Sequence, residues 1–225
     1  VDYKMAYSLA KTAADNNFIP AFDLLAQLLY RGLGVEQNFE RSLYWFKKAA
    51  DNDYLPSCGA TAFMFRVGLG VKKDINTAIK YYLKAVELGS KDCGGALSTL
   101  YYNLGLPDKA MAYLEQSENT KDSPSLYKLM GDICYCRDSI REPDYERAAE
   151  YYHKASQLGS TTADYLLGDI YYYGYLGNEF SSAAEAYERA AQNGYAPAQY
   201  TLGYLLQNEL GVACDIEKAQ YWFEK

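Results

Sequence analysis

The chain of 225 residues holds a single histidine, His153. No motif sets a serine or cysteine nucleophile beside it, so neither a catalytic triad nor a histidine-rich metal site is expected. No apolar run reaches the roughly 18 residues of a membrane-spanning helix. The opening "VDYKMAYSLAKTAADNN" carries charges and does not read as a signal peptide. Lys and Arg form no block, and the formal net charge is -7 with a pI of about 4.9. Phosphate backbones need clustered cations, so nucleic acid is not an expected partner. No Asn-X-Ser/Thr acceptor occurs. The five cysteines are odd in number, which favours reduced thiols and a cytoplasmic setting. Helical patterning is already under way at Tyr3 and stops inside a helix at the last residues, so the chain is expected to be an excerpt. For that reason a secreted or lumenal setting stays open.

Recurrence fills the space left by these absences. "GLGV" stands at Gly32–Val35 and again at Gly68–Val71, and "ELGV" at Glu209–Val212. The offset between the first two copies also relates Trp45 to Tyr81, Phe46 to Tyr82 and Ala49 to Ala85. The unit, read from "APAQYTLGYLLQNELGVACDIEKAQYWF", is a helix A, a turn and a helix B, both with i, i+3, i+4 apolar spacing. Helix A carries a small residue at Ala26, Ala62, Ser98, Gly131, Gly168 and Gly203, which lets helix B approach closely. Helix B opens its buried face with Ser42, Ala78, Ala110, Ala148, Ala183 and Ala219, and paired aromatics follow in most units. An orphan helix B precedes these, with Ala6, Leu9, Ala10 and Ala13 in register. The expected division is a partial unit 1–19, full units 20–55, 56–91, 92–124, 125–161 and 162–196, and a truncated unit 197–225, together a single array. No helix pair of this kind buries its own apolar face alone, so stability is a sum of nearest-neighbour terms.

Leu167, Gly168, Tyr171 and Gly174, the Gly-x-Gly-Val corners and the following Lys-Ala-x-x-Tyr-Tyr-x-Lys-Ala pattern resemble the Sel-one-like repeat, a longer relative of the tetratricopeptide repeat. The third unit, with its short turn "NLGLPDKA", is nearer the tetratricopeptide form. The resemblance implies an all-α fold, an α-solenoid wound as a right-handed superhelix of antiparallel helix pairs. It also implies an adaptor or scaffold rather than an enzyme. The branch with a disulfide in every repeat is not matched, because its regular cysteine pair is missing.

The glycine corners do not read as phosphate loops. They lack the Gly-x-x-x-x-Gly-Lys-Ser/Thr pattern, and Gly32 and Gly68 fall where helix A ends. Cys134 and Cys136 are not a Cys-x-x-Cys pair, and Cys134 takes the core position of Tyr171. Acidic pairs such as Glu146/Glu150 read as a solvated face. No catalytic residue, metal or cofactor is expected.

In tetratricopeptide-like solenoids helix A lines the concave groove. Among the positions carried over residue by residue, those expected to form the protein-binding groove are Tyr30, then Phe63, Arg66, Tyr102 and Asn103, then Lys128, Asp132 and Tyr135. Tyr165, Asp169, Tyr172, Tyr173, Tyr200 and Tyr204 complete the set. Its C-terminal part is rich in tyrosine, a large rigid surface with a polar tip that suits peptide binding. The alternative is that these rings, drawn from 25 tyrosines, pack on one another between units. The expected role is a protein–protein scaffold that holds a peptide or partner protein in the helix-A groove. The alternative is a passive spacer or regulatory arm attached to a catalytic or membrane domain elsewhere, self-associating through uncapped ends.

Overall fold

The computed structural model describes residues 2–117, 121–136 and 142–225. Among them are thirteen α-helices and no strand. The helices are α1 (Tyr3–Asp15), α2 (Ile19–Arg31), α3 (Phe39–Asp51), α4 (Leu55–Val67), α5 (Ile75–Glu87), α6 (Cys93–Asn103) and α7 (Pro107–Gln116). They continue as α8 (Pro124–Tyr135), α9 (Tyr145–Gln157), α10 (Thr161–Tyr172), α11 (Phe180–Gln192), α12 (Ala196–Gln207) and α13 (Ile216–Phe223). Even-numbered helices are the A helices, and odd-numbered ones the B helices. The chain forms two compact units, Val1–Ser117 and Glu118–Lys225. Within each unit every helix packs against the next in chain order.

Helix starts follow the repeat. B helices α1, α3, α5, α9 and α13 begin with Asp2, Asn38, Asp74, Asp144 and Asp215, whose side chains accept from the backbone N–H three residues on. A helices α2, α4, α8 and α12 carry a proline in the first turn, where no N–H is needed. Helix A ends at Gly32 and Gly68 in the left-handed region, with φ of 68° and 82°. The next N–H, of Leu33 or Leu69, returns to the carbonyl of Leu28 or Met64 at 3.0 Å, closing the helix end.

A second bond then clasps the pair. The capping residue of helix B donates its backbone N–H to a carbonyl near the end of helix A. The pairs are Asn38 to Leu29 (3.0 Å), Asp74 to Phe65 (2.9 Å), Asp144 to Cys134 (2.9 Å) and Asp215 to Leu206 (3.2 Å). Corners of different length end on the same clasp. Part of the longest one, "CRDSIREPDYERA", lies outside the described residues.

The second glycine of the corner does more than turn the chain. A Cβ on Gly34 would collide with the backbone of Tyr3, on Gly70 with that of Phe39, and on Gly211 with that of Phe180. The corner is therefore seated on the first turn of the preceding B helix. Val35, Val71 and Val212 fill the adjoining gap against the core.

The small residues of helix A are the contact points with helix B. A Cβ on Gly131 would stand 2.5 Å from the Tyr152 ring, and one on Gly168 would stand 2.6 Å from Tyr187. The alanine face of helix B is buried at Ala49, Ala78, Ala85, Ala110, Ala148, Ala155, Ala183 and Ala190. In α1 the register holds for Ala10, but Leu9 is 60% exposed. Its counterpart in α3, Trp45, stacks on Phe22 of the A helix before it.

Candidate functional site

Each compact unit contains a cleft between two successive A helices. The clefts are built from matching positions of the repeat. In the first unit, α2 contributes Asp23, Gln27, Tyr30 and Arg31, α4 contributes Pro56, Ala60, Phe63 and Met64, and Phe46 of α3 forms the back. The volume is 320 Å³. In the second unit, α10 contributes Tyr165, Asp169, Tyr172 and Tyr173, α12 contributes Tyr200, Thr201 and Tyr204, and Tyr187 of α11 forms the back. Here the volume is 260 Å³.

In the first cleft the polar groups satisfy one another. Ser57 donates its hydroxyl to one oxygen of Asp23 at 2.6 Å, and the Gln27 amide donates to the other at 2.7 Å. The remaining walls are largely apolar, and Arg31 lies exposed.

The second cleft is walled by hydroxylated rings. Tyr187 is 1% exposed and donates its hydroxyl to Asp169 at 2.7 Å. Burial pushes the Tyr187 phenol up, and the bond to Asp169 adds to the effect. Burial also raises the Asp169 carboxyl, while hydrogen bonds from Tyr187 and Tyr165 oppose the shift. Tyr165 lies against Tyr187 with ring centroids 5.5 Å apart, and Tyr172 meets Tyr173 edge to face at 5.2 Å. Tyr173 and Tyr200 are 61% and 67% exposed, so the walls open to solvent.

The expected groove residues thus have different surroundings. Tyr30 and Phe63 share the first cleft, and all six expected residues from α10 and α12 share the second. Lys128 and Asp132 pair with each other at 2.7 Å, and Asp132 also accepts from the Tyr152 hydroxyl at 3.0 Å. Tyr135 packs among Tyr145, Tyr152 and Tyr175, and burial raises its phenol first of all causes. Arg66 lies over the Phe63 ring and acts on the Tyr82 phenol. Tyr102 is half-buried and Asn103 exposed at the end of α6.

The repeat pattern places Tyr187 among the aromatics of the helix-B face, and it does not single out Thr201. The signal was present in the register, because Tyr187 takes the position of Phe46 and Thr201 that of Ala60. His153 is exposed and bonded to Gln157, Cys134 is buried and Cys136 exposed. Among the described residues no group of three or more His, Cys, Asp or Glu could hold a metal ion. No described helix is long and apolar enough to cross a membrane.

The family model described as Sel1 repeat matches residues 24–54, 57–90, 126–160, 161–195 and 196–225. It leaves the third helix pair, α6 and α7, unmatched. Among curated proteins no match was found. Among solved structures the chain is similar to c5321, a protective antigen of uropathogenic Escherichia coli with an SLR fold (27% identity, TM-score 0.78). That match covers 99% of this chain and 48% of the antigen, so the chain spans about half its length. A Sel1 repeat protein from Oxalobacter formigenes is similar at 27% identity and TM-score 0.67, over 99% of this chain and 92% of that one. The APC/C hetero-tetramer Cut9–Hcn1 shares the fold alone, at 14% identity and TM-score 0.53 over 97% of this chain and 43% of that one.

Proposed function

The chain belongs to the Sel1 repeat family, and from that premise we propose that the tyrosine cleft of its second unit is the docking groove for a segment of another protein. Repeats of this family are generally non-catalytic protein-interaction scaffolds. The observation that carries the reading is the wall chemistry of the cleft between α10 and α12. Large rings with polar tips stand there at partial exposure: Tyr173, Tyr200 and Tyr204 are each more than two-fifths exposed. Tyrosine supplies contact area with little side-chain entropy to lose, so such a wall binds without first being ordered. Tyr165, Tyr172, Tyr173, Tyr200 and Tyr204 are the proposed anchors, with Asp169 between them.

The test is affinity capture with the chain and with a Tyr172→Ala, Tyr204→Ala double variant. A protein bound through this cleft is retained about tenfold or more weakly by the variant, the loss typical of central aromatic anchors. Far-UV circular dichroism stays unchanged, because neither ring is fully buried. Equal capture by both proteins sinks the groove assignment and favours a spacer role.

A further inference from the structure

The acidity of the chain is unevenly placed. Residues 1–117 carry 13 Lys and Arg against 12 Asp and Glu, whereas residues 118–225 carry 9 against 17. The formal charges of the two units are therefore +1 and -8. Four acidic residues described in the second unit are not exposed: Asp132, Asp164, Asp169 and Glu188. Three of them hold a cation of this chain. Asp132 pairs with Lys128, Asp164 with Arg189 at 2.8 Å, and Glu188 with Lys218 at 3.1 Å. Asp169 has no such partner among the described residues, and only tyrosine hydroxyls reach it. A carboxylate accepts about four hydrogen bonds, so two hydroxyl donors leave room for more. Of the eight residues that line the cleft, Asp169 alone carries a charge; six of the others, Tyr187 included, are tyrosines, and the last is Thr201. Ring faces attract cations, most strongly where water is partly displaced.

We infer that the tyrosine cleft receives a lysine or arginine side chain from a basic segment of the partner, seated against Asp169 and the surrounding rings. The inference rests on the reading of this cleft as a docking groove and adds the chemistry of its occupant. The cation completes the half-buried carboxylate that, among the described residues of the second unit, has no cation of the chain beside it. Its volume of 260 Å³ accommodates one long side chain. The matching cleft of the first unit differs, since Asp23 is buried and a cation of the chain itself, Arg31, lines that cleft.

The experiment titrates the isotope-labelled chain with capped Ala-Arg-Ala and with its neutral counterpart, Ala-citrulline-Ala, following backbone amides by nuclear magnetic resonance. The expected result is saturable shifts at Gly168, Asp169 and Thr201 with the arginine peptide, and binding about tenfold weaker with citrulline. Asp169→Asn weakens arginine binding about tenfold, and Tyr200→Leu weakens it severalfold while leaving citrulline binding unchanged. Glu185→Gln, which removes an exposed charge of the same unit, leaves it unchanged. Equal binding of the two peptides overturns the cation inference while the groove reading stands. Equal loss in Asp169→Asn and Glu185→Gln also overturns it, since attraction would then come from the general field. Absence of cleft shifts with either peptide overturns it too, and the double tyrosine variant then decides the groove reading separately.

Discussion

Phe46 and Tyr187 occupy one repeat position, each at the back of a cleft between two A helices, and they differ by a hydroxyl. The Phe46 ring needs no acceptor, and the neighbouring position on helix A is Gln27, whose amide is engaged by Asp23. Tyr187 needs one and finds Asp169 at 2.7 Å. The same exchange recurs at Tyr152 and Asp132, where Lys128 neutralises the carboxylate. In the last pair the ring over Gly203 is Phe223, and the position after that glycine is Tyr204 rather than aspartate. In these two pairs a hydroxyl on helix B goes with a carboxylate on helix A, whereas Tyr82 at the same position meets Arg66; a buried phenol without a partner is costly. That carboxylate gives the second cleft its charge.

The largest expected effect tests what the two units share. Gly70→Ala and Gly211→Ala each place a Cβ into neighbouring backbone at a left-handed position, with φ of 70° in both. Strain and overpacking together predict a loss of about 2–5 kcal/mol, read from the urea midpoint. A markedly smaller loss for one of them breaks the equivalence of the corners. Next comes Tyr187→Phe, which makes the second cleft resemble the first. It removes a buried hydroxyl bond to a carboxylate and costs about 1–2 kcal/mol by chemical denaturation. A neutral result shows that Asp169 is held by other means.

Glu209 stands where Gly32 and Gly68 stand, with φ of 56°. Glu209→Gly relieves the left-handed side chain against a more flexible unfolded chain, for a net gain of about 0.5 kcal/mol by thermal unfolding. The last prediction concerns sign alone. The Asp169 carboxyl is raised in the folded chain from 3.8, so folding binds its proton more tightly. Stability contributed by that proton is present below 3.8 and is lost as pH rises through the higher folded value. Asp169→Asn should thus gain on the wild type between pH 3 and pH 7 in denaturant titrations. A difference that does not grow with pH removes the strained-carboxylate account.

Much of the fold was legible because the repeat fixes helix faces by spacing. The alanine stripe from Ala78 to Ala85, the small residue at Gly168 and the corner glycines all follow from one register. The same register marks the six residues of α10 and α12 that line the second cleft other than Thr201. What escaped were bonds that join different faces. The Tyr187 hydroxyl reaches Asp169 across a helix pair, and nothing in a single-helix pattern marks an aromatic core residue as part of a cleft. Tyr135 shows the converse. Its position is that of a groove residue, yet Tyr145 and Tyr175 from later elements surround it. The charge asymmetry needed the division at Ser117 before it carried meaning.

The seated corner glycines distribute cooperativity unequally. Gly34 and Gly70 rivet α1 through α5 into a joined block, whereas Gly105, in the corner between α6 and α7, has open space around it. The first unit should therefore open in stages under native conditions, α6 and α7 exchanging their amide hydrogens earlier than the riveted block. A glycine that began as punctuation thus sets the order in which a linear array comes apart.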